Sequence, residues 1–101
     1  MSTEELSVHY ELVAASQTDQ VMGNAGAAGD FMLTITCVVT TAATSQVQIK
    51  DGGGAAITIL PNNIGQGVGT YNFYVGLRSQ AGPWKITTAA GVAVIVSGCF
   101  T

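Results

Sequence analysis

The sequence predicts an all-β chain, folded as a single antiparallel β-sandwich or a jelly-roll/Greek-key barrel of about seven or eight short strands. Three observations carry that prediction. No stretch repeats apolar residues at the three-and-four spacing of an amphipathic helix. Apolar and polar residues instead alternate at period two over most of the chain, with many β-branched and aromatic side chains. Glycine, proline and asparagine signals divide these runs at short, regular intervals, which is the signature of a sandwich or barrel rather than of parallel α/β layers.

Each element follows from its own residues. Residues 6–15 alternate Leu6, Val8, Tyr10 and Leu12 with Ser7, His9 and Glu11. Residues 19–22 are a candidate short strand. Three glycines and three alanines between Gly23 and Gly29 cannot anchor a core and read as a flexible loop. The long strand beginning at Phe31 places Phe31, Leu33, Ile35, Cys37 and Val39 on one face, with Thr34, Thr36 and Thr40 on the other. In residues 45–51, Val47 and Ile49 alternate with Gln46, Gln48 and Lys50. Asp51-Gly52-Gly53-Gly54 then supplies the positive-φ tolerance that a hairpin turn demands.

The return strand, residues 56–60, puts Ile57 and Ile59 on the face of Val47 and Ile49, until Pro61-Asn62-Asn63 ends it. Residues 68–79 form the aromatic strand, with Tyr71, Phe73, Val75 and Leu77 on one side. Asn72, Tyr74, Gly76 and Arg78 take its other side. Ala81-Gly82-Pro83 turns the chain into residues 84–88, where Trp84 and Ile86 oppose Lys85 and Thr87. Ala90-Gly91 makes the last turn, and residues 92–100 close the domain with Val92, Val94 and Val96 on one face.

Composition limits what such a fold can do. The chain has 101 residues, 48% of them hydrophobic, yet only 9% are charged and the net charge is −3. Roughly a quarter of an ordinary globular chain is charged. Its length suits one domain, residues 1–101, with residues 1–6 as an extended arm. The only cations are Lys50, Arg78 and Lys85, and they are scattered. A nucleic-acid binder clusters such residues against phosphates, so direct nucleic-acid binding is not expected. No apolar run approaches the ~20 residues of a transmembrane helix, and no membrane partner is expected. The acidic start, Met1-Ser-Thr-Glu-Glu, lacks the basic and apolar regions of a secretory signal and reads as a cytoplasmic beginning. Cys37 and Cys99 permit one disulfide at most; in a reducing cytosol they read as small hydrophobes.

No constellation in the sequence supports catalysis, a metal site or a cofactor site. Glu4 and Glu5 fall in the arm, while Asp30 and Asp51 sit at strand ends, the usual home of solvated turn acids. His9 is the only histidine and lies on the polar phase of its strand, as a surface or hydrogen-bonded side chain. The glycine-rich run from Gly65 to Thr70 has no lysine and leads into a strand, not into the helix N-terminus a phosphate loop needs. The chain therefore reads as a non-enzyme. Its informative surface is the uncharged, threonine-lined one formed by Thr34, Thr36, Thr40 and Thr87. Exposed strands normally carry lysine or proline to block association. Their scarcity points to faces covered in an oligomer or lattice. Tyr74, off the apolar phase and beside Arg78, is the aromatic expected at an interface.

Several segments resemble small virion proteins of tailed bacteriophages. They are residues 16–31, with Thr18-Asp19-Gln20-Val21 and Gly26-Ala27-Ala28-Gly29-Asp30-Phe31; Leu60-Pro61-Asn62-Asn63; and the run from Arg78 through Ser79-Gln80-Ala81-Gly82-Pro83-Trp84 to Thr88. Within that group a capsid decoration, or cement, protein fits best by size and predicted fold. The resemblance implies a structural protein of the virion, assembled in the host cytoplasm. It further implies a homo-oligomer, a trimer above all, bound to the major capsid protein or other virion proteins, with an arm reaching the shell. Glu4, Glu5, Leu6, Thr34, Thr36, Tyr74 and Arg78 are then the expected interface residues. The alternative is a glycan- or receptor-binding module of a phage fibre or tail, with Asn72, Tyr74 and Trp84 as its ligand groups.

Overall fold

In a computed structural model of the chain, residues 8–23, 28–41, 46–61 and 67–101 are described. The expected arm at residues 1–6 lies outside them, as do most of the Gly23–Gly29 loop, the asparagines after Pro61 and the start of the glycine-rich run before Gly67. The strands are β1 (His9–Val13), β2 (Gln20–Val21), β3 (Phe31–Val39), β4 (Val47–Asp51), β5 (Ile57–Leu60), β6 (Gly69–Arg78), β7 (Trp84–Thr88) and β8 (Val92–Cys99). They form two four-stranded sheets, ordered β1-β8-β3-β6 and β2-β7-β4-β5.

Every strand pair is antiparallel. β1 pairs with β8, β2 with β7, β3 with β6 and β4 with β5. The contacts β3–β8 and β4–β7 complete the two sheets. The first half of the chain thus runs against the second like one long hairpin, which is then rolled so that its strands alternate between layers. This is jelly-roll winding, one of the ways an all-β chain limits its free edges. No helix among the described residues is long and apolar enough to cross a membrane.

The core lies between the sheets. One layer contributes Met32, Ile35, Cys37 and Val39 from β3 with Val92, Val94 and Val96 from β8. The other contributes Val47 and Ile49 from β4 with Trp84 and Ile86 from β7. Fully burying a side chain of this size is worth roughly 1.5–3 kcal/mol, so these rows are the main stabilising term. The indole N–H of Trp84 donates to the backbone carbonyl of Asp30 at 3.0 Å, which satisfies its one polar atom.

Three expected phases break at irregularities. On β3 the core face starts at Met32, not at Phe31 and Leu33, because the register shifts between Met32 and Thr34. Leu33 is the extra residue against β8. Across from it β6 fits two residues, Val75 and Gly76, between the partners of Met32 and Thr34. This is a bulge, and it changes the phase of everything beyond it. Gly76 has φ +64° and lies under the Tyr74 ring, where a Cβ would approach the phenol to 2.4 Å. Leu77, expected in the core row of Tyr71 and Phe73, is instead 58% exposed on this edge strand. On β5 a second shift makes Leu60, not Ile59, the buried partner of Val47.

Asp30 also departs from expectation, since it is buried rather than solvated. Its carboxylate accepts from the Thr101 amide at 3.1 Å and the Thr101 hydroxyl at 2.9 Å, while its carbonyl accepts from Ser79 N–H at 2.9 Å. The two cysteines are free, and Cys37 is buried. Cys99 pairs with Phe31, six positions along β3 from Cys37. At ~3.3 Å per residue that is about 20 Å, well beyond disulfide reach.

Candidate interaction face

The outward surface of the β1-β8-β3-β6 sheet carries several large apolar side chains that the core does not consume. Cross-strand partners share a face, so its rows can be read from the register. Leu12 opposes Ile95, Ile95 opposes Thr36, and Thr36 opposes Asn72. In the next row Tyr10, Ser97, Thr34 and Tyr74 line up in the same way. Ala93 and Val38 form a third pair. Among the described residues none of these side chains is charged. Arg78 stands at the rim, its guanidinium 5.4 Å above the Phe31 ring and donating to the Gly29 carbonyl.

Hydroxyl and amide groups on this face satisfy one another. Thr34 and Ser97 share a hydrogen bond of 2.6 Å, and the Thr36 hydroxyl donates to the Asn72 side-chain oxygen. Pairing them internally leaves fewer polar groups seeking water. Three large side chains stand clear of the surface: Tyr74 is 77% exposed, Tyr10 66% and Leu12 63%. Beside the Leu12–Ile95 ridge lies an open depression of about 570 Å³, lined by Leu12, Ala14, Val38, Ala93 and Ile95 together with Gln17 and Gln20.

The orientation of β1 produces this ridge. Its period-two pattern could be placed either way round, and the fold turns the polar phase inward. Glu11 opposes buried Val96, and both its carboxylate oxygens accept from the Gly23 amide at 3.0 Å. His9 sits edge-on to Phe100, with ring centroids 5.8 Å apart, and its Nε2 is 3.6 Å from Glu11. The apolar phase, Val8, Tyr10 and Leu12, is therefore left in water. A strand pattern reveals such a phase but not which side the second sheet will cover.

The other sheet presents different chemistry. Lys50 and Lys85 are direct cross-strand partners on β4 and β7. Asp19, held at φ +50°, bonds Lys50 at 3.1 Å. That bond, together with the charges of both lysines, holds its carboxyl below the ordinary value. Gln48, Thr58 and Thr87 complete a polar, charged surface. The two exteriors thus differ in kind, one carrying cations and one carrying apolar side chains with hydroxyls.

Of the expected interface residues, Thr34, Thr36 and Tyr74 meet on the uncharged face, and Arg78 marks its rim. Thr87 belongs to the opposite sheet, and Thr40 lies past the end of β3. Glu4, Glu5 and Leu6 lie outside the described residues. Tyr10, Leu12 and Ile95 belong to the face but were not expected there. Among the described residues no group of three or more His, Cys, Asp or Glu side chains could hold a metal ion. No family model matches the chain, and no curated protein matches it significantly.

Proposed function

We propose that this chain is a non-enzymatic structural protein of a bacteriophage virion, a head decoration (cement) protein that binds the capsid shell as a homo-oligomer. The observation that carries the reading is the uncharged, partly apolar exterior of the β1-β8-β3-β6 sheet. An isolated domain gains nothing from holding Tyr10, Leu12 and Tyr74 in water, whereas a particle component can bury them against a neighbour. The jelly roll suits the role, as it recurs in capsid proteins, although the same winding also serves lectins and enzymes. The segment resemblance supplies the virion context, with the major capsid protein as partner and a trimer as the assembly it implies.

Mechanistically, the protein would bind the assembled shell and not its dissociated subunits. Such binding favours the intact shell by mass action, by RT ln(1 + L/Kd) per site, where L is the free protein concentration. The glycan-binding alternative loses one of its three groups, because Trp84 is buried with its N–H bonded, and keeps only Asn72 and Tyr74. Mass spectrometry and immunogold imaging of density-purified particles, from cells expressing the native gene, test the proposal. It predicts a stoichiometric shell component. Particles that lack the protein would contradict it.

A further inference from the structure

We infer that the occupant of the uncharged face is a second copy of this chain, with the Tyr10–Leu12 ridge of one copy seated in the depression beside Ile95 of the next. This deepens the virion reading and rests on it for biological context, but its physical argument is separate. The depression opens beside the ridge, takes Leu12, Val38, Ala93 and Ile95 from the same face, and is closed at the β1 edge by Gln20 of the other sheet. A patch that carries its own knob and its own hole can meet the same patch of a second copy across a two-fold axis.

Charge favours the same partner. The chain is net negative, and copies repel wherever their acids face one another. On this face the described residues offer no acid, because Glu11 and Asp30 are directed inward and Asp19 lies with the opposite sheet. Two copies can therefore meet here without like-charge repulsion or the desolvation of an unpaired ion. A charged partner surface would find no counter-ion on this face except Arg78 at its rim.

Area is sufficient as well. Four strands spaced ~4.8 Å apart, averaging about eight residues at ~3.3 Å each, project on the order of 500 Å². Side-chain corrugation raises the accessible area toward the ~800 Å² per partner of a stable interface. Tyr10 is an apt anchor, being a large amphipathic ring with few rotatable bonds.

Sedimentation velocity with light scattering on the full chain tests this. Wild type should run at a multiple of 10.3 kDa. Leu12→Glu and Ile95→Glu should run as monomers with an unchanged β-sheet circular dichroism spectrum, while Thr58→Glu on the opposite sheet should keep the wild-type mass. Should the Glu variants fail to fold, Leu12→Ser and Ile95→Thr provide milder versions, expected to weaken association about tenfold or more. A monomeric wild type at every concentration would overturn the inference and the homo-oligomer of the proposed function, whereas membership of the virion is decided separately by the particle assay. Folded variants that keep the wild-type mass would overturn it too, since the copies would then meet elsewhere.

Discussion

Asp19 occupies a left-handed backbone conformation that asparagine and aspartate tolerate better than other non-glycine residues. Its carboxylate there serves two lysines that would otherwise face each other unscreened. The Lys50 bond is the main cause of its lowered pKa. A carboxyl with a depressed folded pKa stabilises the fold above its unfolded pKa, and that contribution disappears as pH falls through the folded value. Asp19→Asn should therefore be less stable than wild type at pH 7, with the gap closing below about pH 4. Denaturant titrations across pH 2–7 would show it, and added salt should shrink the gap because the pair is exposed.

Cys37 works in the opposite sense: burial pushes its thiol up to about 11. The folded state prefers the neutral thiol, so this stabilisation is complete below the unfolded thiol pKa and is lost as pH climbs toward 11. Stability should fall over that alkaline range in wild type and fall less steeply in Cys37→Ala. Thiol reagents should modify half-buried Cys99 well before buried Cys37. Gly98 makes the sharpest steric demand, since a Cβ there would lie 2.0 Å from the Phe31 carbonyl oxygen. Gly98→Ala should cost about 3 kcal/mol, as other overpacked sites do, and thermal denaturation would measure it.

Among the elements, the strands themselves were legible because period two is a direct imprint of the pleat. Runs at Phe31, Val47, Trp84 and Val92 became β3, β4, β7 and β8, and the turns at Asp51 and Gly91 lie where glycine demands them. The phases were less legible. A bulge inserts one residue without leaving a hydropathy trace, so the misplacement of Phe31, Leu33 and Leu77 was built into any reading by alternation. Gly76 was the available signal, since a glycine inside a strand often marks a bulge. β1 shows a deeper limit, because its apolar phase was readable while the direction of that phase depended on where β2 and Phe100 would lie. Glu11→Ala removes the acceptor for the Gly23 amide and should destabilise the molecule by about 1–3 kcal/mol, whereas Glu11→Gln should retain most of the stability.

For the whole molecule, the asymmetry between the two exteriors is the property that composition announced and topology located. A chain with this little charge has to place it somewhere, and the described cations went to one sheet and one rim. Part of the uncharged face was readable from sequence, namely Thr34, Thr36 and Tyr74, because a single strand's outward phase is visible locally. Tyr10, Leu12 and Ile95 were not, because the face is assembled by pairing strands from opposite ends of the chain. Hydroxyl-radical footprinting of the concentrated wild-type protein, against the same protein diluted, tests most directly whether this face is covered. Burial of the face against a second copy should give strong protection of Tyr10, Leu12 and Ile95 on concentration, with Ile57 unchanged. Equal oxidation of all four at both concentrations would contradict it.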